Sequence, residues 1–224
     1  MTHAQPLFRD RSHAGRVLGE LVSKELQDGE VVVLALPRGG VPVGFEVARA
    51  LRAPLDVFLV RKLGVPGQEE LALGAIASGG VRVLNRALVK ELRLPSQNID
   101  EITEHEVREL ERREHLYRQG FPALDVAGRT VVLVDDGLAT GASLKAAAEA
   151  VRTRHPKEII VAVPVAPGEL ESAKLLHADR VICPFTPEPF IAVGIWYENF
   201  AQTTDNEVKS LLKQAREAVT ARKP

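Results

Sequence analysis

Two adjacent carboxylates, Asp135 and Asp136, stand where a short apolar run gives way to a loop of small and hydroxyl-bearing residues. Residues Val131–Val134 are β-branched or aliphatic and predict a buried strand, and the Ala-rich stretch after the loop predicts a helix. A loop that opens a helix offers backbone N–H groups to a phosphate, and the hydroxyls of Thr140 and Ser143 add donors. The carboxylates repel phosphate but accept hydrogen bonds from a neutral diol. Together these groups predict a site for a ribose 5-phosphate.

The alternative interpretation of this stretch is an ordinary strand–turn–helix in which Asp136-Gly137 is only a turn. Asp-Gly favours hairpin turns, but a hairpin needs a second strand, and an Ala-rich segment follows instead. No Gly-Lys-Ser/Thr ends the loop, and no Gly-x-Gly-x-x-Gly follows a strand. These two observations argue against a P-loop nucleoside triphosphatase and against a dinucleotide site.

Residues 131–143 resemble the phosphoribosyl diphosphate (PRPP) signature of the type I phosphoribosyltransferases. The apolar run, the acidic pair, Ala-Thr-Gly and the closing Ser all appear in register. The resemblance implies that Asp135 and Asp136 contact the 2- and 3-hydroxyls of the ribose. It also implies that the 5-phosphate is bound by the loop residues Ala139, Thr140, Gly141, Ala142 and Ser143.

The first predicted strand, Val31–Leu36, ends in a second candidate anion-binding loop. In a parallel α/β sheet, ligands bind outside the carboxyl ends of the strands. The residues that follow this strand resemble the pyrophosphate loop of the same family, which often holds a cis peptide; they are Pro37, Arg38, Gly39 and Gly40. Gly-Gly lets the backbone turn sharply and present its amides to an anion, although such a pair alone is usually just a turn.

The second predicted strand, Leu55–Arg61, leads into the cations Arg61 and Lys62 and a polar, Gly/Pro-punctuated loop that reaches Glu70. This stretch resembles the strand end and mobile loop of adenine phosphoribosyltransferases. The resemblance implies that both cations balance the charge of the leaving pyrophosphate. It also implies that the loop closes over the substrate and excludes water. The alternative is that the two cations are simply solvated.

Aromatic residues make up 4% of the chain, and five of them lie within residues 185–200. Residues 190–198 are similar to the hood of purine phosphoribosyltransferases, in which an aromatic ring stacks on the base. That similarity makes Phe190, Trp196 and Tyr197 the base-binding candidates. A small core that holds the tail to the body is the alternative, and the two roles are compatible.

Ala139 departs from the pattern of the hypoxanthine-guanine enzymes, which carry an acidic residue three positions after the acidic pair. Adenine enzymes and several pyrimidine enzymes place an uncharged residue there. The loop Glu of the adenine family has no clear equivalent, and Glu69 and Glu70 are the nearest acids. The sequence therefore favours adenine or another amino-substituted heterocycle over guanine.

Composition bounds the class of protein. The chain has 224 residues, is 45% hydrophobic, and carries a formal net charge of -1 from 29 basic and 30 acidic residues. This allows one substantial α/β core and gives no support for a nucleic-acid or membrane partner. The single Cys gives no disulfide framework or zinc cluster, and no apolar run is long enough to span a bilayer. We expect a cytoplasmic protein.

Strands that alternate with helices predict an α/β fold with a doubly wound, mainly parallel sheet. We expect one domain over 1–224, with a core of about 29–185 and a hood built from about 1–28 and 186–224. A helical insertion of about 86–120 interrupts the core. The remaining predicted elements are helices 12–26, 41–51, 168–176 and 205–221, strands 158–165 and 180–184, and a hairpin over 71–84.

The insertion carries only a narrow apolar stripe, formed by Ile99, Ile102, Leu110 and Tyr117. Its simplest interpretation is a solvated helix with Glu–Arg pairs at helical spacing. A contact with a second subunit is the alternative.

The activity expected from the resemblance is transfer of ribose 5-phosphate from PRPP to a small nitrogenous base, with release of pyrophosphate. Mg²⁺ is the expected cofactor, held mainly through PRPP oxygens and water without direct protein ligands. A homodimer and a role in nucleotide salvage are also expected. The alternatives are a non-catalytic PRPP or nucleotide sensor on the same fold, and a PRPP-using enzyme outside base salvage.

Overall fold

A five-stranded parallel sheet with strand order β2-β1-β6-β7-β8 forms the centre of the computed structural model, which describes residues 5–26, 29–65, 68–92, 95–170 and 172–221. The strands are β1 Val31–Ala35, β2 Leu55–Val57, β3 Val60–Val65, β4 Gln68–Ala77, β5 Val81–Leu84, β6 Thr130–Val134, β7 Glu158–Ala162 and β8 Arg180–Ile182. The helices are α1 Arg11–Glu25, α2 Gly40–Leu51, α3 Arg86–Glu91, α4 Ser96–Arg118, α5 Ala142–Arg152 and α6 Asp205–Thr220. The predicted α/β fold with a mainly parallel sheet is confirmed.

Helices cover both faces of this sheet because its strands are apolar on both sides. In β1, Val33 and Ala35 join the core beneath α1, α2 and α6, whereas Val32 and Leu34 join the core beneath α5. All four side chains are buried, as in parallel strands that are covered on both faces. The carboxyl ends of β1 and β6 are hydrogen-bonded neighbours, so the loops that follow them lie side by side.

A second, antiparallel sheet of order β3-β4-β5 lies between α4 and α5. The predicted hairpin over 71–84 corresponds to β4 and β5. The predicted polar loop from Lys62 to Glu70 is wrong, since β3 runs to Val65 and β4 begins at Gln68. Leu63 and Val65 are buried, but the register with β4 shifts on both sides of Gly64. This irregularity interrupts the alternation of buried and exposed residues that would identify a strand from the sequence.

Helix α4 packs its narrow stripe against its own chain. Ile99, Leu110 and Tyr117 are buried, and this side of the helix joins the core shared with β3, β4 and α6. The opposite side carries predicted Glu–Arg pairs, including Glu104 with Arg108 at 3.4 Å. The expectation of a mainly solvated helix is therefore wrong for one face. A narrow apolar stripe is enough to bury that face, because the three-stranded sheet packs against it.

The predicted helix over 168–176 is also wrong. The described residues of this range form a short 3₁₀ turn, Gly168–Leu170, followed by turns over 173–177. His177 takes a positive φ of 54°, and Leu176 alone of the last turn is fully buried. One buried side chain gives too little apolar surface to hold a regular helix against the sheet.

The segments at the two ends of the described chain meet. Phe8 pairs with Tyr197 in an isolated parallel bridge, and its backbone N–H donates to Trp196 O at 3.0 Å. Phe8, Trp196 and Tyr197 form a separate small core with Ala14 and Val165. Among the helices of the described residues, none combines the length and the apolar character that a membrane crossing requires.

Candidate functional site

The loop between β6 and α5 encloses a pocket of about 240 Å³ that is lined by residues 135–144 and Val193. Both predicted carboxylates and all five predicted phosphate-binding residues line it. Thr140 and Ser143 are exposed to solvent, so their hydroxyls are accessible to a ligand. The backbone N–H groups of the first turn of α5 have no acceptors within the helix. This pocket is therefore suited to bind an anion at one end and a hydroxylated group at the other.

Gly141 shapes the entry into α5. It caps the helix with a left-handed backbone, φ 73° and ψ -5°, and a Cβ at this position would lie 2.7 Å from Leu176 Cδ2. A side chain here would be strained in its backbone and would clash with its neighbour. Only glycine lets the loop fold back so that the helix N-terminus faces the pocket.

The two carboxylates form a close and largely buried pair. Asp135 Oδ1 accepts a hydrogen bond from the backbone N–H of Asp136 at 2.8 Å. Burial raises the pKa of Asp135 well above its ordinary value, and the nearby charge of Asp136 adds to the effect. Burial also raises the pKa of Asp136, although Arg11 opposes that rise. Two buried, neighbouring carboxyls therefore hold a proton at a higher pH than exposed carboxyls do. Hydrogen bonds donated by a ligand favour the charged form and lower the pKa again.

Arg11, which the sequence analysis missed, binds the second carboxylate. Its Nε donates to Asp136 Oδ2 at 2.8 Å, its Nη1 donates to Ala201 O at 2.6 Å, and its guanidinium lies 3.9 Å from the centre of the Phe200 ring. One arginine thus connects α1, the tail and the acidic pair. Arg11 is one of several charged residues in the segment 9–16, and nothing in that segment distinguishes it.

The loop Pro37–Gly40 lies directly against the acidic pair. A Cβ at Gly39 would lie 2.0 Å from Asp136 Oδ2, and one at Gly40 would lie 2.8 Å from Val134 O. Glycine is required at both positions for this close approach. The peptide bond between Pro37 and Arg38 is cis, as the resemblance implied. The structure therefore brings the two glycine-containing loops together at one edge of the sheet.

Arg38 lies near the first residue of α6. Its Nη1 lies 3.8 Å from Asp205 Oδ1, which also accepts a hydrogen bond of 2.7 Å from the hydroxyl of Tyr117. Burial and this hydrogen bond raise the pKa of Tyr117 to about 12. Tyr117 of α4 thus helps to fix the carboxylate that faces Arg38.

The structure does not bring Arg61 and Lys62 together. Successive side chains of a strand point to opposite faces of the sheet. Arg61 pairs with Glu106 of α4, and hydrogen bonds from Arg61 lower the pKa of Glu106 despite the burial of that carboxyl. Lys62 is exposed and faces α5, where it lines a cleft together with Ser143. Only Lys62 is therefore directed toward the phosphate loop.

The three base-binding candidates differ in exposure. Trp196 and Tyr197 are 6% and 4% exposed, so they offer little ring surface to a ligand. The hydroxyl of Tyr197 donates to the backbone oxygen of Asp136, and burial raises its pKa, which keeps it a donor. Phe190 is half-buried, with its ring centre 6.3 Å from that of Trp196. Val193 lines the pocket between β6 and α5, where phosphate binding is predicted.

Comparison with known proteins connects this geometry to a family. The family model for a phosphoribosyl transferase domain matches residues 10–195. Two chains from Mycobacterium tuberculosis strains that carry a phosphoribosyl transferase name are 47% identical over 209 residues, which are 93% of this chain and 47% of theirs. The chain thus spans about half the length of these curated relatives.

Two solved structures share the fold. The crystal structure of TT1426 from Thermus thermophilus is 42% identical, with a TM-score of 0.81 over 92% of this chain and 98% of that one. A Neisseria gonorrhoeae protein crystallised with ppGpp is 12% identical, with a TM-score of 0.51 over 95% and 98% of the two chains, and shows the fold alone. The resemblance seen in residues 131–143 is confirmed, and the chain belongs to the phosphoribosyl transferase family.

Proposed function

We propose that this chain transfers ribose 5-phosphate from PRPP to a nitrogenous base and releases pyrophosphate. One observation carries the proposal: the helix N-terminus at Gly141 and the carboxylates Asp135 and Asp136 line the same pocket of about 240 Å³. An anion site and a hydroxyl-accepting site so close together match a phosphorylated sugar. Family membership supports the same conclusion.

The two ends of the pocket bind different parts of PRPP in this proposal. The 5-phosphate accepts hydrogen bonds from the backbone N–H groups at the start of α5 and from the hydroxyls of Thr140 and Ser143. The ribose hydroxyls donate to Asp135 and Asp136. The pyrophosphate lies over the amides of Gly39 and Gly40, which lie against the acidic pair, with Arg38 and Lys62 as cations at its edge.

The reaction breaks the bond between C1 of the ribose and the pyrophosphate oxygen, and the electron pair leaves with pyrophosphate. The ribose carbon then carries positive charge until the base nitrogen supplies an electron pair to C1. The carboxylates beside the ring favour that positive charge, and the amides of the Pro37–Gly40 loop stabilise the departing anion. We propose that Mg²⁺, held mainly by PRPP oxygens and water, would supply further charge neutralisation of the pyrophosphate.

We propose that Arg61 acts indirectly. Its pairing with Glu106 fixes β3 against α4, and this in turn presents Lys62 on the opposite face of the strand toward α5. Arg61 is then a positioning residue, and Lys62 is the cation that contacts the leaving group.

The base binds between the phosphate pocket and the tail in this proposal. Phe190 is the accessible aromatic ring, and Val193 already lines the pocket. Trp196 and Tyr197 support this segment from the small core below it. Because Ala139 places no acid near the base, adenine or another amino-substituted heterocycle is the favoured acceptor over guanine.

The test is an assay of pyrophosphate release with PRPP, Mg²⁺ and a panel of bases that includes adenine, guanine, hypoxanthine, uracil and orotate. Release with adenine faster than with guanine or hypoxanthine at equal concentration is the expected result. Faster consumption of guanine or hypoxanthine would show that the argument from Ala139 is wrong. Omission of Mg²⁺, with excess chelator, tests the cofactor in the same assay.

A PRPP or nucleotide sensor is the second candidate, and the ion pair between Arg11 and Asp136 favours it. That carboxylate is already bound by an arginine that is 12% exposed in its side chain, so a ribose must share or displace it. Tight binding of PRPP by calorimetry, without pyrophosphate release for any base, would support the sensor over the enzyme.

Cytoplasmic nucleotide salvage by a homodimer stays a prediction that rests on the family resemblance. Light scattering coupled to size exclusion measures the oligomeric state directly. A mass near twice 24.4 kDa is the expected result.

A further inference from the structure

A cleft of about 520 Å³ separates the three-stranded sheet from α5. Its walls are the sheet face that carries Lys62 and the side of α5 that carries Ser143, Lys145 and Glu149. It is more than twice the volume of the phosphate pocket and shares only Ala142 and Ser143 with it. Lys62, proposed above to contact the leaving pyrophosphate, also lines the cleft. The cleft therefore adjoins the proposed PRPP site, and the two share Lys62 and Ser143 at their border.

Three cations line this cleft, one from each of its sides: Lys62 of β3, Arg86 of α3 and Lys145 of α5. Within the described residues, none of the three has a carboxylate within ion-pair distance. On the opposite face of the same sheet, Arg61 and Arg82 both pair with acids of α4. The cations that face the cleft are thus left available for a ligand.

The acid that lines the cleft does not balance these charges. Glu149 Oε1 lies 2.7 Å from Nδ1 of His177, so this carboxylate already has a partner within the protein. Asn85 uses its Oδ1 to cap α3, where it accepts from the N–H of Leu88 at 3.2 Å. Its side-chain NH₂ group remains a donor at the rim of the cleft. The polar rim therefore consists mainly of donors and positive charge.

The floor of the cleft is apolar and is built by aliphatic residues of the sheet: Val60, Ala72, Ala75, Val83 and Leu84. Small-molecule sites typically enclose about 300–1,000 Å³, with apolar walls and a few polar groups that orient the ligand. A ligand matched to this cleft has an apolar ring for the floor and two or more negative charges for the rim. Arginine and lysine pairs at such a rim select phosphate.

We propose that this cleft binds a second ligand of the nucleoside monophosphate class, separately from PRPP. The phosphate is held between Arg86 and Lys145, and the base lies on the apolar floor at Ala75 and Val83, which leaves Lys62 to the pyrophosphate of PRPP. Because Ala142 and Ser143 line both the cleft and the phosphate pocket, the bound nucleotide touches the loop that takes the 5-phosphate. Its binding is then coupled to that of PRPP in both directions.

The test is calorimetry of AMP, GMP, CMP, UMP and inorganic phosphate with the full chain, both without PRPP and with saturating PRPP and Mg²⁺. At least one nucleotide is expected to bind while PRPP is present, and more tightly than inorganic phosphate. Arg86→Ala and Lys145→Ala are each expected to weaken that binding about tenfold or more, since each removes a charge-assisted hydrogen bond. Both variants should keep the PRPP affinity measured without nucleotide.

Lys90→Ala is the matched control, because Lys90 is an exposed cation of α3 that does not line the cleft. Its nucleotide affinity is expected to stay within about twofold of the parent, the precision of such a titration. Equal loss in Lys90→Ala would show a general charge effect, and full competition with PRPP would place the nucleotide in the phosphate pocket. Each of these two results overturns the proposal. Equal binding of inorganic phosphate, or no binding of any nucleotide, overturns it as well.

The experiment distinguishes a failure of this proposal, which rests on the proposed function, from a failure of the proposed transferase activity. If PRPP itself fails to bind, the transferase proposal fails, and the cleft is still tested by the effect of Arg86→Ala and Lys145→Ala on nucleotide binding without PRPP. If pyrophosphate is released but no nucleotide binds beside PRPP, the transferase proposal stands and the cleft proposal falls.

Discussion

Arg61 and Lys62 are consecutive in β3 but serve opposite faces of the three-stranded sheet. Arg61 pairs with Glu106 of α4, whereas Lys62 lines the cleft against α5 together with Ser143. A strand places neighbouring side chains about 180° apart, so two adjacent cations in the sequence cannot clamp one anion from the same side. The pair is better described as one structural and one ligand-facing residue.

Substitution of each member of this pair separates the two roles. Lys62→Ala is expected to weaken PRPP binding about tenfold, because it removes a charge-assisted contact, and to leave the melting temperature close to that of the parent. Arg61→Ala is expected to cost about 1–3 kcal/mol of folding stability, since it leaves the largely buried Glu106 without its arginine. Calorimetry and urea denaturation measure the two effects. The reverse pattern would contradict the assignment.

Asp136→Asn is expected to impair catalysis far more than folding. The amide oxygen of Asn can still accept from Arg11 Nε, so the contact that joins α1 to the acidic pair survives. The lost charge at the ribose should cost about 1.5–3 kcal/mol of transition-state stabilisation. Steady-state kcat/KM on any active acceptor measures this cost. Asp100→Asn, at an exposed carboxylate paired with Arg82, is the control, and equal turnover of both variants would refute the ribose-binding role.

Asp135→Asn is expected to stabilise the fold at neutral pH. The pKa of Asp135 is raised in the folded state, so the folded chain binds a proton that the unfolded chain releases. The contribution of Asp135 to the free energy of unfolding is therefore largest below the pKa that this group has in the unfolded state. It is lost as the pH rises through the pKa that the group has in the folded state. Each unit of elevation corresponds to about 1.4 kcal/mol.

Denaturation of the parent and of Asp135→Asn between pH 4.5 and pH 8 measures this effect. The difference in unfolding free energy should grow in favour of the variant as pH rises. Asp136, whose pKa is also raised, lies beside Asp135, so the two carboxyls titrate as one pair and the variant reports on that pair. Carboxyls far from the pair shift in the opposite direction, including Glu109, whose pKa is lowered to about 2 by hydrogen bonds from Arg112 and Arg113. The comparison of variant with parent cancels their contribution. A difference that stays constant with pH would show that Asp135 is not the titrating group.

Thr140→Val tests the 5-phosphate site, because it keeps the volume of the side chain and removes a hydroxyl that lines the pocket. The affinity for PRPP is expected to fall several-fold, about 1 kcal/mol, with little change in thermal stability at this exposed position. Thr153→Val at the other end of α5 is the matched control, since its hydroxyl donates to Ala150 O at 2.7 Å. Unchanged affinity in Thr140→Val would assign the loop a structural role only.

The sheet and the family could be predicted because their signals are local. The apolar run 131–134, the acidic pair and the glycine of the loop are contiguous, and each constrains the backbone directly. Long-range partners left no such signal: Arg11 reaches Asp136 across 125 positions, and Glu106 reaches Arg61 across 45. When a helical segment carries many charged residues, its sequence does not indicate which of them will pair with a distant residue in the fold.

A broken period explains the wrong prediction of a loop over residues 62–70. The register shift at Gly64 disguised β3 and β4 as a loop, because glycine, proline and polar residues are typical of both bulged strands and loops. The roles assigned to the site residues remain predictions, although two of the motifs, residues 37–40 and 135–143, meet at one edge of the sheet. Their meeting follows from the parallel pairing of β1 with β6, which an alternating strand–helix pattern already favours.

The packing of the three-stranded sheet on α4 has a consequence for its motion. Leu63 and Ile76 of the sheet belong to the same core as Leu110 and Tyr117 of α4, so the sheet and the 23-residue helix form one unit. Movement of the sheet over the phosphate pocket must carry that helix with it. Because the same core continues into α2, α6 and the central sheet, we expect any displacement of the three-stranded sheet to take about microseconds to milliseconds, slower than the fluctuation of a free loop.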